Sequence, residues 1–455
     1  MSATAPLPVP VDGLPAGFRF GAATAAYQIE GAVREDGRGE SIWDRFALLP
    51  GAVAGGDSGD VACDHYHRWE DDLDLMASLG IESYRFSIAW PRVQPAGRGP
   101  LNHAGVAFYR RLVEGLLARG IEPVATLYHW DLPQALQLAG GWAVRETADR
   151  FADYAAAMAA ELGDLVEGWI THNEPWVVAF LGHATGVKAP GVRDWPTALT
   201  VAHHLLVSHG LAVDAVRSGA RAGVPVGITL NLTPMRPATA SEEDVAAAER
   251  MDGYQNRWFL DPVLRGAYPA DLLEHYSRRF GALDVSGLEL AARPIDFLGV
   301  NYYSPALVRS APAVAPLLAD TVPALPPRTA MGWPVDADGL YEVLVRLRRE
   351  YGAPMIYITE NGAAFDDEDL VDGVVEDPSR VAYLADHLQA LRRAIADGVD
   401  VRRYHAWSLL DNYEWEHGYS KRFGIVRVDY ATQERTVKRS GLWYRDHIAA
   451  ARGRA

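Results

Sequence analysis

One unit recurs along this chain of 455 residues: an amphipathic helix that ends at a glycine, followed within a few residues by a short apolar run. Leu73, Met76 and Leu79 are spaced about one helical turn apart and precede Gly80, after which the run IESYRFSIAW begins. Glycine readily adopts the left-handed conformation that ends a helix. The same order of helix, glycine and apolar run recurs at Gly120, Gly352 and Gly398. This repetition predicts a protein in which helices and strands alternate.

Eight apolar runs are candidate strands, and they lack the two-residue alternation of strands that expose one face to water. They are FRFGAATAAYQ, SYRFSIAW, EPVATLYHW, GWITHNEP, VPVGITLNLTP, DFLGVNYYSP, PMIYITENG and HAWSLLDNYEW. Eight parallel strands separated by helices predict an α/β protein with one closed (β/α)₈ barrel, a TIM barrel. The alternative, a doubly wound open sheet, would carry a glycine-rich phosphate loop after its first strand, and GAATAAYQIEG matches that loop poorly.

The predicted barrel forms a single domain over residues 16–450, preceded by a flexible N-terminal tail over residues 1–15. The stretch Ser304–Ala330 is rich in proline and alanine, which predicts a long loop after the sixth strand. In barrels of this kind, the loops that follow the strands surround the mouth of the active site.

The charge balance bears on the partners of the protein. Lys and Arg number 43 and Asp and Glu number 59, so the formal net charge is −16. Such an acidic surface repels phosphate backbones and anionic lipids, which predicts neither a nucleic-acid partner nor a membrane partner. One cysteine, Cys63, forms no internal disulfide, and the proline-broken N-terminus does not resemble a secretory signal. We therefore expect a cytoplasmic protein, and the composition leaves a homo-oligomer open.

Two groups of histidines raise the question of a metal site. His65 and His67 lie in one stretch, and His203, His204 and His209 form a second group. Catalytic zinc sites need three protein ligands in a defined geometry, and neither group is accompanied by a suitable carboxylate motif. The sequence therefore predicts no metal site.

Polar and aromatic residues stand at or just beyond the carboxyl ends of the predicted strands, which converge on one face of a barrel. They are Gln28, Arg85, His129, Trp130, Asn173, Glu174, Asn301, Tyr303, Glu360, Trp407, Glu414 and Trp415. Amides, imidazoles and carboxylates bind polyhydroxylated ligands, and tryptophan faces stack on sugar rings. The pattern predicts a carbohydrate site.

Two motifs carry the chemistry, Thr171–Pro175 and Ile358–Gly362, and each places a glutamate at the end of an apolar strand. The proline of the first disfavours helix at Glu174, and the glycine of the second allows a sharp exit after Glu360. Either glutamate alone is compatible with a structural ion pair. Two carboxyl groups in one pocket are what glycosidic cleavage needs, one as proton donor and the other as nucleophile or base.

From about Phe18 to Trp443 the sequence resembles the family 1 glycoside hydrolases, and within them the β-glucosidases. The resemblance rests on FRFGAATAAYQIEG, ESIWDRF, SYRFSIAWPRVQP, LYHWDLPQAL, THNEPW, FLGVNYYSP, YITENGAAF and WSLLDNYEWEHGYSKRFGIVRVDY. It implies a TIM barrel that hydrolyses β-linked sugars with retention, without metal or cofactor. It also implies that Glu174 is the acid/base and Glu360 the nucleophile.

The resemblance further implies the roles of the surrounding residues. Those expected to bind the sugar are Gln28, His129, Asn173, Trp407, Glu414, Trp415 and Phe423, and we group Trp130 with them. Those expected around the nucleophile are Arg85, Asn301 and Tyr303. Trp176 and Trp333 are expected to contact the leaving group.

The expected activity is removal of terminal β-D-glucosyl residues from β-glucosides and short β-gluco-oligosaccharides, as in cellulose degradation. Galactosides or fucosides as substrates, and transfer to sugar acceptors instead of water, stay open as alternatives. A sugar-binding barrel without catalysis is disfavoured because both glutamates are present. His183 and Lys188 stand where relatives more often have Tyr and His, which leaves the leaving-group preference open, whereas Glu414 disfavours 6-phosphorylated sugars.

Overall fold

The computed structural model describes residues 14–366, 370–371 and 373–453. The predicted flexible tail, residues 1–15, therefore lies almost entirely outside the described residues. Eight parallel strands close into a barrel. They are β1 Arg19–Ala23, β2 Ser83–Ser87, β3 Glu122–Tyr128, β4 Gly168–Asn173, β5 Val226–Asn231, β6 Phe297–Tyr302, β7 Met355–Asn361 and β8 Val401–Trp407. Each predicted run contributes one strand, so the (β/α)₈ prediction is confirmed and the open sheet is excluded.

Helices follow the strands and surround the barrel. Within the described residues they are α1 Ala26–Ile29, α2 Ile42–Ala47, α3 His65–Ser78, α4 Trp90–Val93, α5 His103–Ala118, α6 Gln134–Leu138, α7 Arg145–Leu162, α8 Trp195–Gly219, α9 Glu242–Asp252, α10 Trp258–Arg265, α11 Ala270–Phe280, α12 Asp338–Tyr351, α13 Pro378–Ala396 and α14 Arg439–Ala451. Short π-helical turns cover Val177–Leu181 and Gly253–Arg257. The glycines that were predicted to end helices do so with positive φ, as at Gly352, where φ is +54° after α12.

The barrel interior is filled at its amino-terminal end, which leaves the other end free for a cavity. Val124, Ile170, Phe297 and Tyr357 form one buried apolar layer, and the rings of Phe297 and Tyr357 stack with centroids 4.0 Å apart. The strands β2, β4 and β6 are buried along their whole length, as expected for strands covered on both faces.

The predicted long loop over Ser304–Ala330 is only partly a loop. It contains the strands Ala306–Ser310 and Ala319–Val322, which form a three-stranded sheet with Met235–Pro237. Val308 is buried whereas Leu307 on the other face is 42% exposed, so the first strand alternates in burial. The prediction was wrong here because the proline- and alanine-rich composition concealed a short alternating segment whose pairing partner lies about 70 residues earlier.

The helix α8 has the length and composition of a membrane span, and it is the one such helix in the part of the chain that the structure describes. Most of this helix is buried inside the protein. Core helices of globular proteins have the same composition, because they are apolar on every face.

Candidate active site

The carboxyl ends of the barrel strands open into a cavity of about 840 Å³. Most of the predicted site residues line it: His129, Trp130, Glu174, Trp176, Asn301, Tyr303, Trp333, Glu360, Trp407, Glu414, Trp415 and Phe423. The other three, Gln28, Arg85 and Asn173, are fully buried behind its wall and hydrogen-bond to residues that line it. The strand order therefore brings all predicted site residues together.

A second cavity, of about 490 Å³, adjoins the first, and Met235 and Arg236 line both. Its arginines are already ion-paired: Arg236 with Asp336 and Glu342, and both Arg257 and Arg346 with Asp252. It contains none of the predicted site residues, so the larger cavity is the candidate active site.

Glu360 lies at the carboxyl end of β7 and is 3% exposed. One carboxylate oxygen forms an ion pair with Arg85 Nη1, and the other accepts a hydrogen bond of 2.5 Å from the Tyr303 hydroxyl. Burial and the negative charge of Glu360 raise the pKa of Tyr303 well above its usual value, so this hydroxyl keeps its proton. Glu360 therefore has a guanidinium partner on one carboxylate oxygen and a hydroxyl partner on the other.

The chain leaves β7 at Gly362, as predicted. The glycine is required there by its close contact with a neighbouring strand and not by its own backbone conformation. Its φ is not positive, so its conformation does not require glycine. A Cβ at this position would instead overlap the carbonyl oxygen of Trp407 on the neighbouring strand β8. Close approach of two backbones therefore requires the glycine two residues after Glu360.

Glu174 follows β4 and is 6% exposed. Its Oε1 accepts a hydrogen bond of 2.7 Å from Asn301 Nδ2. Burial, and next the negative charge of Glu360, raise the pKa of Glu174 to about 8, against the opposing effects of Asn301, Arg85 and Lys188. The Glu174 carboxyl therefore holds a proton at neutral pH while Glu360 is paired with a guanidinium.

A buried hydrogen-bond network joins the two glutamates through amide side chains. Asn173 Oδ1 accepts from Arg85 Nη2 at 2.6 Å and from Asn301 Nδ2 at 3.1 Å. Thr359 donates to Asn301 Oδ1 at 2.7 Å, which orients the Asn301 amide toward Glu174. Satisfied buried networks of this kind are rigid, so the carboxyl positions are preorganised. Thr359 was missed in the sequence, although it directly precedes Glu360.

Glu414 also lines the cavity and is 9% exposed. Its carboxylate accepts a hydrogen bond from Gln28 Nε2 at 3.3 Å, and the same nitrogen donates to the Tyr413 carbonyl at 2.8 Å. Burial raises the pKa of Glu414 to about 8. The positive charge of Lys188 opposes this rise, and the negative charges of Glu416 and Glu360 reinforce it.

Aromatic rings form the remaining walls. The His129 ring is stacked between those of Trp407 and Trp415, with both centroids 6.0 Å away. Trp130 packs on Trp415 at 4.5 Å. Tyr303, Trp333 and Phe423 form a second group, with centroids 5.3 to 6.2 Å apart. These faces are suited to stacking on a sugar ring.

Three residues at the site have left-handed backbone conformations that side chains rarely adopt. The φ angles are +80° at Trp130, +48° at Glu174 and +50° at Trp415. Such a conformation costs on the order of 1–3 kcal/mol per residue and persists where surrounding contacts enforce it, commonly at functional sites. None of these conformations was indicated by the sequence, because Pro175 disfavours helix at Glu174 but favours an extended backbone there.

The histidines that raised the question of a metal have protein partners. His65 Nδ1 bonds to Asp72 at 2.7 Å, His203 contacts the Tyr268 hydroxyl at 3.2 Å, and His209 bonds to Thr171 at 2.7 Å. Across residues 14–366, 370–371 and 373–453, no group of three or more His, Cys, Asp or Glu side chains is arranged to hold a metal ion.

A barrel whose mouth brings together a guanidinium-paired glutamate and a buried glutamate of raised pKa, between tryptophan walls, has the features of an enzyme that cleaves glycosidic bonds. The sequence model of glycosyl hydrolase family 1 matches residues 11–453. The chain belongs to glycosyl hydrolase family 1. The predicted resemblance is therefore confirmed, and the chain is an O-glycoside hydrolase.

Relatives at about half identity cover nearly the whole chain. β-Glucosidase A of Acetivibrio thermocellus is 50% identical over 95% of this chain and 98% of its own. The bifunctional β-D-glucosidase/β-D-fucosidase of Bifidobacterium breve is 49% identical over 96% of this chain and 98% of its own. The structure of a Thermotoga maritima β-glucosidase in complex with glucoimidazole superposes with a TM-score of 0.93 at 48% identity, covering 96% of this chain and 99% of that one.

Proposed function

We propose that the protein is a retaining β-glucosidase that removes terminal non-reducing β-D-glucosyl residues from β-glucosides and short β-gluco-oligosaccharides. One observation carries this proposal: two buried glutamates share one cavity and have different partners there. Both oxygens of Glu360 are held, by Arg85 and by the Tyr303 hydroxyl, whereas Glu174 accepts from the Asn301 amide and has its pKa raised to about 8. Together with the family match, this difference supports Glu360 as nucleophile and Glu174 as proton donor.

In the first step, a Glu360 oxygen attacks the anomeric carbon while Glu174 gives its proton to the glycosidic oxygen. The aglycone leaves as an alcohol, and the sugar is esterified to Glu360. Esterification removes the negative charge of Glu360, which is the second largest cause of the raised pKa of Glu174. The pKa of Glu174 therefore falls, and its carboxylate takes a proton from water while the water oxygen attacks the anomeric carbon and displaces Glu360 as a carboxylate. Two inversions give a product with retained configuration.

The glucose unit is proposed to lie between the aromatic walls, with Trp407 as its stacking platform. Gln28, His129, Trp130, Glu414 and Trp415 would bind its hydroxyls, with Phe423 near the 6-hydroxyl. Asn173 would bind the 2-hydroxyl, a contact that strengthens as positive charge develops at the anomeric carbon. Trp176 and Trp333, both half-buried, would face the leaving group.

The relatives support glucose as the preferred sugar, because the A. thermocellus and T. maritima proteins are named β-glucosidases and the latter binds glucoimidazole. The B. breve relative, named for both activities, supports β-fucosides as second substrates. Incubation with aryl β-glucoside, β-galactoside and β-fucoside tests both proposals. We expect chromophore release from the glucoside at the highest kcat/KM. Absence of release from all three would contradict the proposal.

The proposal also covers the domain organisation of the protein, its location in the cell and its biological role. We propose one domain over residues 16–450, a cytoplasmic location and a role in the breakdown of short oligosaccharides derived from cellulose. The acidic composition and the single cysteine support the location. Cell fractionation tests it, and product analysis at high cellobiose concentration separates hydrolysis from transfer to sugar acceptors.

The pH dependence follows from the state of Glu174. Because its pKa is raised to about 8, we expect kcat/KM for a poorly activated glucoside to fall as pH rises through about 8. A dinitrophenyl glucoside, whose leaving group needs no proton, is the matched control and should lack this basic limb. An identical basic limb for both substrates would show that another group titrates.

Replacing Glu414 tests the sugar contacts. The two oxygens of the Glu414 side chain can each hydrogen-bond to a sugar hydroxyl, so Glu414→Ala should weaken the transition state for glucosides by about 2 kcal/mol or more. It should not create a preference for 6-phosphoglucosides, because no positive charge is added. We expect the loss in kcat/KM with an aryl β-glucoside. Strong phosphoglucosidase activity in the single variant would contradict this description of the pocket.

A further inference from the structure

Trp333 belongs to a loop that is exposed to solvent where it approaches the cavity. Residues 325–328 are all exposed, whereas the next residue, Thr329, is buried. The Trp333 side chain lines the cavity and packs against Tyr303 and Phe423, with ring centroids 5.3 and 6.2 Å away. Because the preceding loop is exposed, the position of the Trp333 ring depends on the contacts that fix residues 329–333.

Thr329 closes a tight turn that ends at Trp333, and we call residues 329–333 the Trp333 turn. The Thr329 Oγ1 accepts hydrogen bonds from the backbone N–H of Met331 at 3.2 Å and from that of Trp333 at 3.3 Å. The backbone N–H of Thr329 donates to the Trp333 carbonyl, and that of Gly332 donates to the Thr329 carbonyl, both at 2.9 Å. Four hydrogen bonds therefore hold the turn, and two of them use the Thr329 hydroxyl oxygen.

The Trp333 turn is also attached to the segments that follow two other strands. The backbone N–H of Ala330 donates at 2.8 Å to the carbonyl of Ala364, four residues beyond Glu360 on the segment after β7. Lys421, on the segment after β8, donates from Nζ to the Ala330 carbonyl at 2.8 Å. Ala330 also packs against the buried cluster that contains Trp407. These contacts fix the turn relative to both the glutamate strand and the proposed sugar platform.

We propose that Thr329 and Lys421 are positioning residues for the leaving group: they fix the Trp333 turn and thereby hold the Trp333 ring where the aglycone of the substrate lies. This inference rests on the proposed β-glucosidase function, in which Trp333 faces the leaving group. Among the described residues that line the cavity, neither Thr329 nor Lys421 is found, so both act through Trp333.

The two steps of the proposed reaction separate this role from a general structural one. The aglycone is present during the first step and has left before the second. A displaced Trp333 ring therefore slows formation of the glucosyl-enzyme and leaves its hydrolysis unchanged. The kcat/KM for phenyl β-glucoside reports the first step, and the decay rate of the glucosyl-enzyme formed from dinitrophenyl β-glucoside reports the second. General loosening of the site would slow both.

The experiment compares these two rates in single variants. Thr329→Val keeps the shape of the side chain without the acceptor oxygen, so kcat/KM should fall roughly 3- to 10-fold while the decay rate stays at the wild-type value. Thr329→Ser should restore kcat/KM. Lys421→Met removes the donor to Ala330 and should act in the same direction. Thr432→Val is the matched control, because its Oγ1 accepts from the Glu434 N–H at 3.3 Å in a turn outside the cavity lining, and it should change neither rate.

A double-mutant cycle with Trp333→Ala tests whether Thr329 acts through the Trp333 ring. In the Trp333→Ala background the ring is absent, so adding Thr329→Val should change kcat/KM by less than about twofold. The same holds for adding Lys421→Met. If Thr329 held another part of the site instead, its full effect would persist in this background.

Thermal unfolding checks that each variant is folded, and Lys421→Met carries the same comparison if Thr329→Val does not fold. Unchanged kcat/KM in the folded variants, equal slowing of both steps, no recovery in Thr329→Ser, or a full effect without the Trp333 ring would each overturn the inference. Wild-type hydrolysis of phenyl β-glucoside tests the proposed function separately. An active wild type with unaffected variants refutes the positioning role alone, whereas an inactive wild type refutes the β-glucosidase proposal.

Discussion

Glu360→Gln is expected to remove nearly all turnover of aryl β-glucosides, by roughly 10³-fold or more, while the fold and sugar binding are retained. The two side chains are nearly isosteric, so the cavity keeps its shape. The glutamine amide is a poor nucleophile, and its neutral oxygen cannot form the ion pair with Arg85 that Glu360 forms. The measurement is kcat with an aryl β-glucoside.

Glucose binding, followed by tryptophan fluorescence, is the control for the integrity of the Glu360→Gln pocket. Residual activity above a few per cent of the wild type, in a preparation free of contaminating glucosidase, would show that Glu360 is not the nucleophile. Glu376→Gln is a matched control, because Glu376 is also paired with an arginine but lies outside the cavity lining. It should retain full activity.

The second large effect is expected for Glu174→Ala, in which the loss of glycosylation rate should depend on the leaving group of the substrate. Without the proton from Glu174, glycosylation by a poorly activated glucoside should slow by roughly 10²–10⁴-fold. A dinitrophenolate leaves without a proton, so the first step should survive with a dinitrophenyl glucoside. The second step lacks its base, and the glycosyl-enzyme should accumulate.

Added azide tests the role of Glu174 as the general base of the second step. It needs no general base and fits the space vacated by the side chain, so it should speed turnover of Glu174→Ala. The product should be the β-glycosyl azide, since two inversions give retention. The α-glycosyl azide would instead indicate a single displacement, and the roles given to Glu174 and Glu360 would both be wrong.

The barrel was predictable because its signals are local. Each strand is an apolar run, and helices end at glycines such as Gly352, where a positive φ favours glycine. The hairpin within Ser304–Ala330 was not predictable, because its strands are stabilised by pairing with Met235–Pro237, distant in sequence. The flexible tail predicted over residues 1–15 stays a prediction, because all but its last two residues lie outside the described residues.

Most residues that line the cavity were also predictable, because the strand ends of a parallel barrel converge on one face and a residue at a strand end is recognised by its position in the sequence. The protonation state of a site residue such as Glu174 was not predictable. The raised pKa of Glu174 depends on its burial and on the nearby charge of Glu360, and the residues adjacent to Glu174 in the sequence predict neither. The left-handed backbone at Trp130 and Trp415 is likewise imposed by packing. The pairing of Lys188 with Glu416 joins residues 228 positions apart, so no motif indicated it.

The central claim is that Glu360 forms a covalent bond to the sugar. The most direct measurement is mass spectrometry of Glu174→Ala after brief incubation with dinitrophenyl β-glucoside, acid quench and proteolysis. We expect one glucosyl group on the peptide that contains Glu360, and loss of that adduct when azide is added before the quench. Steady release of dinitrophenolate with no adduct on any peptide, or an adduct on a residue other than Glu360, would contradict the double displacement proposed for this protein.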